Sequence, residues 1–113
     1  MDTSTLLGVW TGTAHNSSGW DMRITISIFQ PFDIGSTLGV FDIPLIPCFG
    51  SFRVTNIRGQ TIELRPENLR GECVESDSDS LELLADGTLL YRSKGKGWET
   101  EGILQRANED TFV

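Results

Sequence analysis

The chain has 113 residues, of which 38% are hydrophobic, so it is long enough for one domain with a packed core and is not typical of a disordered chain. Its 16 acidic and 9 basic residues give a net charge of −7, which repels phosphate backbones and anionic lipid head groups. We therefore expect a single domain over residues 1–113, flexible ends at 1–5 and 107–113, and no nucleic-acid or membrane partner.

The first two predicted strands form a hairpin. Residues 7–15 are rich in Val, Trp and Thr, and residues 20–29 alternate apolar and polar side chains with the period of two that is typical of a strand. Asn16-Ser17-Ser18-Gly19 lies between them and has the residue types of a tight turn. The alternation predicts that Met22 and Ile24 lie on one buried face.

Further runs of β-favouring residues continue this series. Glycines and prolines separate the runs by only a few residues, and Ala85-Asp86-Gly87 predicts a hairpin turn. No window of eleven or more residues shows the helical spacing of apolar positions. The remaining predicted strands are residues 37–43, 48–56, 61–65, 71–75, 80–84, 88–93 and 98–106.

The short connections between these runs favour neighbouring antiparallel strands in a meander. Closing the meander on itself removes exposed sheet edges, which otherwise invite aggregation. We therefore predict an all-β fold, an antiparallel up-and-down β-barrel of about eight strands. A β-sandwich with similar strand spacing is the alternative.

Cys48 and Cys73 are the two cysteines of the chain, and they lack the CxxC spacing typical of redox and zinc sites. We predict a disulfide between them, which closes a loop of about 25 residues and stabilises the fold by roughly 3 kcal/mol. Two buried free thiols in a cytosolic protein are the alternative. With the bridge and a trimmed export signal the protein is extracytoplasmic, and otherwise it is cytoplasmic.

Gly8-Val9-Trp10 near the start and Arg106 in the last predicted strand resemble the signature of the calycins, a superfamily that includes lipocalins and avidins. In calycins the tryptophan closes one end of the barrel, and the arginine packs across its ring in a cation–π contact. The resemblance therefore implies a calycin-like barrel and structural roles for Trp10 and Arg106. The chain lacks the T-D-Y segment of ordinary lipocalins, and the polar biotin-binding set of avidins cannot be placed in it.

A looser resemblance connects the chain with small β-domains of bacterial extracytoplasmic proteins, some of them attached to serine/threonine kinases. Those domains have paired cysteines at similar places, which is consistent with a Cys48–Cys73 bridge, and their ligands are generally unknown. The matching segments are residues 10–12, 48–52, 73, 81–83, 86–91 and 102–106.

Patterns typical of enzymes and metal sites do not occur in the sequence. His15 is the only histidine, and no serine lies in a G-x-S-x-G elbow. The acidic run in residues 72–82 lacks the glycine that a calcium loop needs, and we interpret it as a solvated hairpin turn. We expect no enzyme activity, no metal site and no cofactor.

Residues 41–47 form an apolar segment that two prolines hold extended, and in it Leu45 and Ile46 have no polar side. We interpret this segment as a lid at the open end of the barrel, opposite Trp10. The alternative is that Leu45 and Ile46 only cover the end of the core.

These features favour a non-enzymatic binding module that holds a small apolar or mixed ligand in or at the mouth of a β-barrel. The alternative is a protein-interaction or inhibitory domain with a filled core, which acts through residues 41–47 or a strand edge. A small molecule or a protein is thus the expected partner, and a homo-oligomer is left open. The predicted ligand-binding residues are Trp20, Met22, Ile24, Phe41, Leu45, Ile46, Phe52 and Tyr91.

Overall fold

The computed structural model describes residues 1–107, which form eight β-strands preceded by a 3-10 helix over Thr3–Leu6. Residues 1–5, which we expect to be flexible, contain the start of this helix. Of the other end that we expect to be flexible, 107–113, residues 108–113 lie outside the described residues. The strands are β1 (Gly8–Asn16), β2 (Asp21–Ile28), β3 (Thr37–Ile43), β4 (Cys48–Arg58), β5 (Thr61–Gly71), β6 (Ser78–Leu83), β7 (Leu89–Gly95) and β8 (Trp98–Arg106).

Each strand pairs antiparallel with the next one in the sequence, and β1 pairs with β8. The sheet therefore closes into an up-and-down barrel of eight strands, which confirms the predicted all-β architecture. Within residues 1–107, no helix has the length and apolar character that a membrane-spanning helix requires.

The period of two in the sequence produces the interior of the barrel. In β2, Met22, Ile24, Ile26 and Ile28 are buried, whereas Arg23 between them is exposed. Inward side chains of the other strands join those of β2 in one continuous core. The largest fully buried side chains are Leu6, Trp10, Ile24, Ile26, Ile28, Leu38, Phe52, Val54, Ile62, Leu81, Leu89 and Leu104.

The 3-10 helix and the first and last strands close one end of the barrel. Trp10 Nε1 donates a hydrogen bond to the Leu6 carbonyl at 3.0 Å. Arg106 pairs with Trp10 across β1 and β8, and its guanidinium carbon lies 4.4 Å from the Trp10 ring centroid. The guanidinium also donates to the carbonyls of Thr5 and Leu7. The predicted contact between Trp10 and Arg106 is therefore confirmed.

The region between β5 and β6 differs from the prediction. Residues 61–71 form one strand instead of a strand that ends at Arg65, and residues 71–75 do not form a further strand. Pro66 does not break β5 because the pairing of β5 with β6 ends at Leu64, so Pro66 lies on a locally free edge where proline is tolerated. After Gly71, where φ is +88°, the chain leaves the sheet.

Residues 72–77, the 72–77 segment below, connect β5 to β6 at the end of the barrel away from Trp10. The backbone N–H of Glu72 donates to the Pro47 carbonyl at 2.8 Å. A disulfide joins Cys73 to Cys48 at the start of β4, with a Cα–Cα distance of 4.8 Å. The predicted bridge is confirmed, but Cys73 lies in this segment and not in a strand.

Candidate functional site: a two-sided cavity in the barrel

A cavity of about 400 Å³ occupies the half of the barrel opposite Trp10. Its lining side chains come from the end of β1, the start of β2 and the corresponding ends of the other strands, and the 72–77 segment lies at its mouth. Pockets of this size are typical of sites for small molecules. The barrel thus has one filled half and one hollow half.

On the β7 and β8 side of the hollow half, the inward positions near the mouth carry small polar side chains. Along β7 the inward residues are Leu89, Tyr91 and Ser93, and the series changes from apolar to polar toward the mouth. In β8, Leu104 is buried in the core, whereas Thr100, four residues nearer the mouth, lines the cavity. Short side chains at these places leave volume that leucine or isoleucine fills in the other half.

One wall of the cavity is apolar and is supplied by β2, β3 and β4. Met22, Phe41, Ile43 and Phe52 line it, and all four are buried. The rings of Phe41 and Phe52 stack with centroids 4.4 Å apart and an interplanar angle of 24°. This wall therefore presents a rigid aromatic surface to anything inside the barrel.

The opposite wall is polar and is supplied by β1, β6, β7 and β8. In the described part of the chain four polar residues are buried, and all four line this cavity: Asn16, Asp79, Ser93 and Thr100. Asn16 Nδ2 donates to Thr100 Oγ1 at 2.9 Å, and the backbone N–H of Ser18 donates to Asn16 Oδ1 at 2.8 Å. These bonds fix the orientation of the amide at the mouth.

Asp79 is the carboxylate of this polar wall, and only 5% of the residue is exposed. Burial raises the pKa of Asp79, while hydrogen bonds from Ser76 and Ser93 act in the opposite direction. The Ser76 hydroxyl donates to Asp79 Oδ2 at 2.5 Å, and Ser93 is the cross-strand neighbour of Asp79 on β7.

Tyr91 on β7 lies in the polar wall, two positions before Ser93, and is also buried. Burial raises the pKa of its phenol, and the negative charge of Asp79 raises it further. The Tyr91 hydroxyl therefore stays protonated near neutral pH and is a neutral hydrogen-bonding group in the cavity.

Two tryptophans border the mouth. Trp20 is 37% exposed, and the ring of Trp98 lies against Gly95 in the β7–β8 hairpin. A Cβ atom at Gly95 would lie 2.4 Å from Trp98 Cε2, so this position has to be glycine for the ring to pack there. Val74 of the 72–77 segment completes this part of the mouth.

Six of the eight predicted ligand-binding residues line the cavity, and Ile24 and Leu45 do not. Ile24 is fully buried in the core, because it lies one inward position deeper than Met22 on β2. Leu45 is 60% exposed, whereas its neighbour Ile46 lines the cavity. The six residues are Trp20, Met22, Phe41, Ile46, Phe52 and Tyr91.

The sequence interpretation missed the polar wall. It assigned Asp79 to a solvated hairpin turn, which is wrong because Asp79 is an inward residue of β6, two positions before buried Leu81. Ser93 likewise follows inward Tyr91 by two positions. Extending the period of two to polar residues at strand ends would have identified both.

His15 lies on the outer surface, where its Nδ1 is 2.6 Å from Asp21 Oδ1. Over residues 1–107, no three His, Cys, Asp or Glu side chains are grouped so that they could hold a metal ion.

Comparison with protein-family models, curated proteins and solved structures finds no match to the chain. The chemistry of the cavity is therefore the basis for assigning a function.

Proposed function

We propose that this protein is a non-enzymatic binding module that holds a small molecule with an apolar body and a polar group inside the barrel. The observation that carries the proposal is the cavity of about 400 Å³, with its apolar wall on one side and every buried polar residue of the described chain on the other. A mostly apolar pocket with a few polar groups is the usual chemistry of a small-molecule site.

The apolar wall would supply most of the affinity. Covering roughly 100 Å² of ligand surface with the rings of Phe41 and Phe52 contributes about 2.5 kcal/mol. The polar wall would orient the ligand, because buried polar groups favour a partner that hydrogen bonds to them over one that does not.

The assignment to a calycin-like barrel is part of this proposal. It is supported by the Gly8-Val9-Trp10 motif and by the contact of Arg106 with the Trp10 ring at the closed end. The Cys48–Cys73 disulfide supports an extracytoplasmic location, because such bridges persist mainly in oxidising compartments.

Binding can be tested with N-phenyl-1-naphthylamine, a neutral probe whose fluorescence rises in apolar surroundings. We expect saturable enhancement, with energy transfer from Trp20 and Trp98 because both border the mouth. The substitution Ile46→Asp places a charge on the cavity wall and should weaken probe binding severalfold.

Leu45→Asp is the matched control, because the neighbouring side chain carries the same change outside the cavity. Its probe affinity should equal that of the parent. If the folded parent binds no probe, the protein-interaction alternative through residues 41–47 becomes the better explanation. If both variants bind as the parent does, the ligand does not enter past residues 41–47.

A further inference from the structure

The cavity contains one buried carboxylate, and it has no ion-pair partner in the described chain. Asp79 is buried and lines the polar wall, and in residues 1–107 no lysine, arginine or histidine forms an ion pair with it. Residues 108–113 contain no basic residue. The neutral hydroxyl of Ser76 donates a hydrogen bond to it, and its cross-strand neighbour Ser93 is also neutral.

A buried carboxylate without a cation is costly for the fold. Removing an ionised group from water carries a large free-energy penalty, which hydroxyl donors offset only in part. The barrel could fill this inward position with an apolar residue, as it does at Leu81. The carboxylate is therefore best explained by a charge that comes from outside the chain.

The other charged groups of the cavity do not supply that charge. Arg65 lines the wall, but its guanidinium is largely exposed and lies 3.9 Å from Glu67 Oε2. Glu75 of the 72–77 segment adds a second negative charge. Tyr91 is neutral, and the chain as a whole carries a net charge of −7, which attracts cations and repels anions.

On these grounds, and resting on the proposed function, we propose that the ligand is a small amphipathic amine whose ammonium group pairs with Asp79. Its apolar body lies against Phe41 and Phe52 on the facing wall. The ammonium also approaches the ring of Tyr91, which adds a cation–π contact. The cavity volume of about 400 Å³ limits the ligand to a single small molecule.

Three ligands that share the indole ring and have similar side chains distinguish the effect of the ligand's charge from the effect of its shape. Tryptamine carries the ammonium, 3-ethylindole lacks it, and indole-3-propionate replaces it by a carboxylate. Displacement of bound N-phenyl-1-naphthylamine should require a concentration about tenfold lower for tryptamine than for 3-ethylindole, since a charge-assisted hydrogen bond replaces an unpaired charge. Indole-3-propionate should be the weakest of the three.

The substitution Asp79→Asn keeps the shape and removes the charge, so it should abolish the preference for tryptamine while probe binding persists. Asp77→Asn is the matched control, because Asp77 is exposed two residues away and its loss should leave the preference unchanged. A second measurement uses the parent alone: the preference should decline in acid, as Asp79 becomes protonated, while the affinity for the neutral probe is maintained.

The results separate the two proposals. Absence of probe binding in the folded parent contradicts the binding function itself. Probe binding with equal displacement by tryptamine and 3-ethylindole, or a tryptamine preference that survives in Asp79→Asn, overturns the amine assignment and leaves the binding function standing.

Discussion

Arg106 lies across the ring of Trp10, with its guanidinium carbon 4.4 Å from the ring centroid, and so fastens the last strand of the barrel to the first. The same guanidinium donates to two carbonyls of the N-terminal segment, Thr5 and Leu7. The Arg106 side chain thus connects β8, β1 and the N-terminal segment at the closed end of the barrel. The cavity lies at the opposite end.

Trp10→Ala should lower the free energy of unfolding by about 3–5 kcal/mol, because it removes a large buried ring and leaves Arg106 without its stacking partner. Denaturant unfolding followed by circular dichroism measures the loss. Trp20→Ala is the control, since this ring is partly exposed at the mouth and its removal should cost far less. Equal losses in the two variants would contradict the assignment of Trp10 as the closure of the barrel.

The fold was predictable where the signal is local. The period of two gave the inward face of β2, and the Trp10–Arg106 contact followed from the resemblance to calycins. The error at residues 71–75 arose because strand composition does not reveal where pairing stops. Beyond Leu64 the pairing of β5 with β6 stops, and residues 65–71 carry no sequence signal that marks this end of the pairing.

The apolar wall of the candidate site was predicted from the sequence, whereas the buried polar residues of the polar wall were not. Apolar residues such as Phe41 and Phe52 were found because hydrophobicity marks the interior. Asp79 was missed because an acidic residue among other acidic residues resembles a solvated turn, although it stands two positions before inward Leu81 on β6 and opposite Ser93 on β7. Outside the strands, at Leu45 and Ile46, no period exists to show which side chain faces the cavity.

The Cys48–Cys73 bridge closes a loop with a sequence separation of 25 residues, and its removal should cost about 3 kcal/mol of stability. It also tethers the 72–77 segment, which lines the cavity. The double substitution Cys48→Ser and Cys73→Ser should therefore lower both the unfolding midpoint and the affinity for N-phenyl-1-naphthylamine. Reduced and alkylated parent protein should behave in the same way.

Intact mass provides the control for this prediction. Unreduced protein should accept no alkylating reagent under native or denaturing conditions, and reduced protein should accept two equivalents. Alkylation of both thiols without prior reduction would show that the bridge is absent, and an unchanged probe affinity in the double variant would show that the tether does not shape the cavity.

The pKa of Asp79 predicts how stability varies with pH. Burial raises this pKa above its usual value of 3.8, so the folded protein holds the proton more tightly than the unfolded chain does. The folded protein is therefore more stable with Asp79 protonated than with Asp79 ionised. This part of the free energy of unfolding is lost as the pH rises through the folded-state pKa of Asp79. Asp79→Asn, which is neutral at every pH, should become more stable relative to the parent as pH rises through that range above 3.8.

Tyr91 and Glu75 face the same cavity and have to be distinguished from Asp79. The raised pKa of Tyr91 keeps its phenol neutral throughout this range, so Tyr91 does not change the comparison. Glu75 is controlled by Glu75→Gln, and Asp77→Asn controls for the loss of a surface charge. Urea unfolding of the parent and the three variants measures the differences in free energy of unfolding. The measurements run from about pH 3 to about pH 8, because ordinary carboxyl groups have pKa values of about 4. A stability difference between Asp79→Asn and the parent that stays constant with pH would show that folding leaves the pKa of Asp79 unchanged. The barrel would then stabilise the ionised carboxylate without a ligand, and the argument for a ligand cation would lose its premise.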